Sequence, residues 1–169
     1  SRTETISDEV GGYDKLKMLK DVGLHHMSFG MEHGNEKFRA EVIDRSYSNE
    51  SAIEALKNPE KLDIPITVNN IIGFPDETRD LAFDTIELNR HFQSDDVSCS
   101  TLIPFSGTEI RTLAETQGLI DSDFICTMSN SSDEGVLNMP QWEKSEVAKL
   151  RKTFPMYVKF PYSRWPEIE

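Results

Sequence analysis

Three short runs dominate the pattern of this chain: His26-Met27-Ser28-Phe29-Gly30-Met31, Ile64 to Ile72 and Val97 to Ile103. Each enters a loop rich in Gly, Pro or polar residues, and each is followed by residues with helical spacing. Strands that alternate with helices in this way call for parallel βαβ units with right-handed crossovers. The helices are read from spacing and punctuation. Tyr13, Leu16, Leu19 and Val22 give an amphipathic helix ending at Gly23, and Glu36 to Ile43 gives a short one. Ser48 to Leu56 gives another, with Ser48 as N-cap. Glu77 to Phe92, Glu109 to Glu115 (closed by Gly118) and Ser145 to Met156 complete the set. Ile120 to Asn138 reads as a long polar loop, and Tyr157 to Trp165 as an aromatic tail broken by Pro161 and Pro166. Three strands are too few for a closed eight-stranded barrel of about 250 residues, so the expectation is part of a barrel or an open parallel sheet.

Charge and composition exclude several function classes. The 169 residues carry 18 basic and 30 acidic side chains, a formal charge of −12, which repels a phosphate backbone and disfavours nucleic acid as a partner. The longest apolar stretches, such as Ile71 to Pro75 and Thr101 to Phe105, fall far short of the roughly 20 residues a membrane-spanning helix needs. Cys99 and Cys126 show no CxxC or Cys/His metal spacing, so neither a disulfide framework nor a zinc site is expected, and a reducing, cytoplasmic compartment fits. Ser1-Arg2-Thr3 shows no targeting segment, and such a start is expected of an excised piece.

In parallel α/β folds ligands sit beyond the carboxyl ends of the strands. That singles out Gly30 to Gly34, Asn69 to Thr78 and Pro104 to Thr108. A carboxylate at Glu32 suits both hydroxyls of a ribose diol, but spacing alone favours a solvated loop acid. Asn69 is open between a ligand contact and a backbone partner. Asp76, Glu77 and Thr78 read as the acidic cap of a strand-to-helix turn, His25, His26, His33 and His91 as surface or structural residues, and Cys99 as a small buried hydrophobe.

At these same positions the chain resembles the radical S-adenosylmethionine (SAM) superfamily. More closely, it resembles the carboxyl half of the catalytic barrel in the subgroup that often carries a cobalamin-binding domain. Ser1 to Ile6 looks like the end of the third barrel strand, and Leu16 to Gly23 like the helix after it. Phe29-Gly30-Met31-Glu32-His33-Gly34-Asn35-Glu36 matches the pattern of the fourth strand, with Arg45 and Ser48 in the segment that follows. Ile71-Ile72-Gly73-Phe74-Pro75-Asp76-Glu77-Thr78 matches the fifth, and Pro104-Phe105-Ser106-Gly107-Thr108-Glu109-Ile110 the run after the sixth. Departures are His33 for the common Ser, Asp76 for the common Gly, which often serves positive φ there, and Ser106 for a small residue or Pro.

The resemblance implies an α/β fold, the carboxyl half of a partial TIM-type (β/α)6 barrel over residues 1–118, with a loop-and-helix extension over 119–169. It implies an enzyme in which a [4Fe-4S] cluster reductively cleaves SAM to a 5′-deoxyadenosyl radical for methyl transfer or C–H functionalisation, with cobalamin as an optional further cofactor. By position Glu32 would bind the SAM ribose and Arg45 its carboxylate, which a guanidinium can grip bidentately. Asn69 would stand near the ribose, and Ile71 and Gly73 would line the adenine. The cluster motif CxxxCxxC does not occur in this sequence. The chain is therefore expected to need the amino-terminal half of the barrel as a partner, to act on a small-molecule substrate in the parent protein, and to be inactive and prone to self-association alone. The competing expectation is a degenerate barrel module that binds a nucleotide or a protein without catalysis.

Overall fold

The computed structural model describes residues 3–125 and 135–168. Strands β1 (Met27–Glu32), β2 (Ile66–Ile72) and β3 (Asp96–Thr101) form one parallel sheet in the order β1-β2-β3. They alternate with helices α1 (Gly12–Asp21), α2 (Glu36–Val42), α3 (Asn49–Lys61), α4 (Arg79–Asn89), α5 (Glu109–Thr116) and α6 (Lys144–Lys159). The α/β reading holds, and parallel strands alternating with helices are the arrangement expected of part of a barrel. Four helices start on side-chain caps: Asn35 accepts from Phe38 N, Ser48 from Ser51 N, Thr78 from Leu81 N and Thr108 from Arg111 N.

The chain divides into two compact units, Ser1–Asn70 with Asp84–Ser98, and Ile71–Phe83 with Cys99–Glu169. In the first, one face of the sheet joins the core: Phe29, Met31, Ile66 and Val68 cluster with Leu16 of α1, Ala52, Ala55 and Leu56 of α3, and Leu88 of α4. Burying each large side chain contributes roughly 1.5–3 kcal/mol. The alternate positions Ser28, Gly30, Glu32, Thr67 and Asn69 are left half-buried or exposed, so the opposite face is open and polar. Asn70 points into the buried side, where its amide and that of Asn89 exchange hydrogen bonds of 3.1 and 2.8 Å. In the second unit Ile72, Phe74, Val147, Leu150 and Phe154 are buried, and Phe83, Tyr157 and Trp165 stack edge to face at centroid distances of 5.1–5.6 Å.

Several local expectations are corrected. Thr3–Ile6 is a 3-10 helix rather than the end of a strand; Ile6 is buried in the core and Asn58 Nδ2 donates to its carbonyl at 3.0 Å, so side chains of α3 take the place of a sheet ladder. Ser1 and Arg2 lie outside the described residues, as do 126–134 of the expected polar loop. Of the apolar set on α1 only Leu16 is buried, while Tyr13, Leu19 and Val22 are exposed. Strict three-residue spacing drifts by about 60° per step on a helix of 3.6 residues per turn, so Tyr13 and Val22 point to opposite sides and one flat partner cannot cover both. Helix α3 runs past Leu56 to Lys61 with Pro59 inside it: a proline so near the end forfeits one hydrogen bond and there is little helix left to kink. Helix α6 likewise continues through Pro155 and absorbs Tyr157 from the expected tail.

Candidate functional site

The loop after β1 is built around an unusual backbone. The β1–β2 register slips between Gly30 and Glu32, and Glu32 sits at φ 66°. A hydrogen bond of 2.8 Å from His33 N to Met31 O closes a three-residue turn about it. This is the rare, strained form of γ-turn, and the left-handed conformation costs a residue with a side chain roughly 1–2 kcal/mol. Its consequence is directional: the bulge re-aims the Glu32 carboxylate at the carboxyl end of the strand. There it meets Arg45. Arg45 Nη2 lies 3.4 Å from Glu32 Oε1, Nη1 donates to Gly30 O at 3.1 Å, and the two side chains keep 23% and 16% of their surface exposed, respectively. Two of the residues expected at the site are thus brought together, and the remaining donors of the guanidinium fork can still meet a ligand.

Burial pushes the Glu32 carboxyl above its ordinary range, and Arg45 only partly opposes this. A group whose pKa is raised on folding binds protons more tightly in the native chain. Its contribution to stability is therefore present below the ordinary carboxylate value and is lost as pH rises through the raised native one. Glu32→Gln removes this dependence. Urea unfolding across roughly pH 4–7 should show wild type losing stability relative to Glu32→Gln as pH rises; a constant difference would mean that Glu32 carries no such load.

Asn69 is half-buried on the open face of β2, in register with Gly30, and its side-chain amide has no hydrogen-bond partner among the described residues. Ile71 continues the same face of the strand. Ile71 and Gly73 belong to the second compact unit. There Gly73 takes φ 85°, and the N–H groups of Gly73 and Phe74 both donate to the fully buried Glu77 carboxylate, at 2.5 and 2.9 Å. The structural reading of Glu77 holds, and the helix cap itself is Thr78, whose hydroxyl accepts from Leu81 N at 3.3 Å. Asp76 supplies the positive φ that glycine often provides, at 62°, and Gln117 Nε2 donates to its carboxylate at 2.8 Å.

Spacing missed Arg39 and Tyr47. Arg39 is fully buried, yet in the sequence it looks like one more charge on a short amphipathic helix. Tyr47 lies in a polar loop with no period to expose it. Their side chains donate to the backbone carbonyls on either side of Glu32, Arg39 to His33 O and Tyr47 to Met31 O, contacts that no sequence pattern marks.

The donor set suits SAM and not its cluster. A carboxylate for the diol, an arginine for a carboxylate and an open polar strand face are present. Gly30 leaves the space clear, since a Cβ there would run into Glu32 Oε1. By contrast, no group of three His, Cys, Asp or Glu among the described residues could hold a metal ion, and buried Cys99 is held firmly as the thiol by its surroundings.

The family follows from comparison with known proteins. The sequence model of the radical SAM superfamily matches residues 2–88. An uncharacterized methyltransferase of Pyrococcus horikoshii is 26% identical over 158 residues, covering 91% of this chain and 32% of the relative. Coproporphyrinogen III oxidase from Escherichia coli, described as a radical SAM enzyme, shares the fold with a TM-score of 0.59 at 16% identity, over 89% of this chain and 30% of that one. The chain therefore spans about a third of the length of each of these two proteins. The match over more than half of its residues establishes that the chain belongs to the radical SAM superfamily.

Proposed function

We propose that this chain supplies the SAM-binding carboxyl part, residues 1–118, of the catalytic barrel of a longer radical SAM enzyme, with 119–169 as an extension. The observation that carries the proposal is the Glu32–Arg45 pair on the bulge at the end of β1. Glu32 would take the ribose hydroxyls, Arg45 the methionine carboxylate, Asn69 a position near the ribose, and Ile71 and Gly73 the adenine. When bound to its cluster, SAM supplies the family with a 5′-deoxyadenosyl radical. The residues of this chain bind and orient SAM, and the CxxxCxxC motif that would hold the cluster does not occur in its sequence. The reaction we assign to the parent is methyl transfer or C–H functionalisation of a small molecule; the name of the Pyrococcus relative supports the former. Cobalamin has no residue here assigned to it.

The test is made on the full-length protein purified without oxygen. Iron and sulfide in cluster stoichiometry, and 5′-deoxyadenosine released from SAM under a strong reductant, are the expected results. Protein without iron would replace this reading with a module that binds a nucleotide or a protein without catalysis.

A second expectation concerns the isolated chain. Val10, Met18, Leu19 and Val22, along and beside α1, are between 46% and 82% exposed, and β1 has one neighbour in the sheet among the described residues. Open edges and bare apolar patches drive association. Light scattering should therefore show dimers or larger species for residues 1–169 alone; a monodisperse monomer would contradict the idea that these surfaces are covered by other parts of the parent.

A further inference from the structure

The two carbonyls that flank the strained Glu32 are each held by a side chain from the segment that also presents Arg45. Tyr47 Oη donates to Met31 O at 2.7 Å, and Arg39 Nη1 donates to His33 O at 2.7 Å. Arg39 in turn fixes Tyr47: its Nη2 donates to Tyr47 O at 2.5 Å, and its guanidinium lies 4.0 Å from the centre of the tyrosine ring. Nη1 also donates to Asn49 Oδ1 at 2.9 Å, at the start of α3. The remaining link is Arg45 N, which donates to Arg39 O at 3.2 Å. One buried guanidinium and one phenol thus tie the Glu32 turn to the Arg45 loop. Strained backbone of this kind persists only where its surroundings over-determine it, and here the same contacts set the distance between the carboxylate and the arginine.

We propose that Arg39 and Tyr47 are positioning residues. They hold Glu32 and Arg45 in a fixed relative placement, so that one ligand carrying both a ribose diol and a carboxylate meets both groups at once. This inference rests on the SAM reading above. Neither residue touches the ligand. Their effect is pre-organisation, and it falls on a two-headed ligand more than on a one-headed one.

The experiment is calorimetric titration of the full-length protein with SAM and, separately, with 5′-methylthioadenosine, which keeps the diol and lacks the carboxylate. Tyr47→Phe removes one oxygen, leaves the ring under Arg39, and leaves Met31 O still bonded to His33 N. It should weaken SAM roughly five- to tenfold, the scale of one hydrogen bond, and 5′-methylthioadenosine less than twofold, with the melting temperature nearly unchanged. Equal losses for the two ligands, or no loss for SAM, would overturn the positioning role. Arg39→Lys, which keeps a charge but not the fork, should move the same ratio in the same direction. Glu32→Ala serves as the discriminating control. If it weakens SAM and Tyr47→Phe does not, the clamp fails while the site stands; if it leaves SAM binding intact, the site assignment falls and the clamp with it.

Discussion

In the full-length protein, Glu32→Ala should weaken SAM binding by about one to two orders of magnitude, and Arg45→Ala should weaken it more. The first figure follows from losing charge-assisted hydrogen bonds to a diol, worth about 1.5–3 kcal/mol. The second is larger because Arg45 acts twice. Besides the proposed grip of its fork on the ligand's carboxylate, it is the cation that opposes the upward push of burial on Glu32. With alanine at 45, Glu32 is left half-buried without its cation, and burial pushes its carboxyl up unopposed by that charge, away from the ionised form that best accepts from two hydroxyls. The double variant should therefore be little worse than Arg45→Ala alone, the non-additivity expected of groups that act as a unit. Arg45→Lys should recover only part of the loss, since an ammonium neutralises Glu32 but does not present the bidentate fork. Calorimetric titration with SAM reads all four variants. Unchanged affinity in both single variants would remove Glu32 and Arg45 from the site.

The physical reasons decide how much of this arrangement was readable in advance. Helices and strands were legible because their signals are local: β-branched runs, the cap at Ser48, glycine after α1 and α5. Glu32 was legible as a loop carboxylate just past a strand, and Arg45 through the family resemblance alone, since thirteen positions separate the two in sequence and no period links them. What makes them a pair is the bulge between Gly30 and Glu32 and the carbonyls held by Arg39 and Tyr47. Such features depend on backbone geometry, which composition and spacing do not encode. The exposed side of α1 fails for a related reason. An apolar set at three-residue spacing states how many residues want burial, but not how many a single partner can reach.

The β1–α2 loop also sets the largest expected stability effect, at Gly34. This residue is buried, its N–H donates to Thr85 Oγ1 at 2.9 Å, and its carbonyl accepts from Asn49 Nδ2 at 2.8 Å. It is the point where the loop touches the backbone of α4. A Cβ placed there would collide with Asp84 O and stand 2.5 Å from Thr85 Cα. Unlike a side-chain tip, these backbone atoms cannot rotate away; α4 must shift off the loop, and the hydrogen bond from Gly34 N to Thr85 Oγ1 lengthens as it does. Overpacking of this kind costs about 3 kcal/mol, which for a chain of this size is a fall in melting temperature of roughly 6–12 °C. Gly107→Ala provides the comparison. Gly107 has φ 86° with open space where a Cβ would go, so it should cost only the backbone strain, about 1–2 kcal/mol. Thermal melts of the two variants separate steric contact from conformational preference. If Gly34→Ala is no worse than Gly107→Ala, the loop and α4 are not in backbone contact, and the placement of the Glu32 turn against the helix must be redrawn.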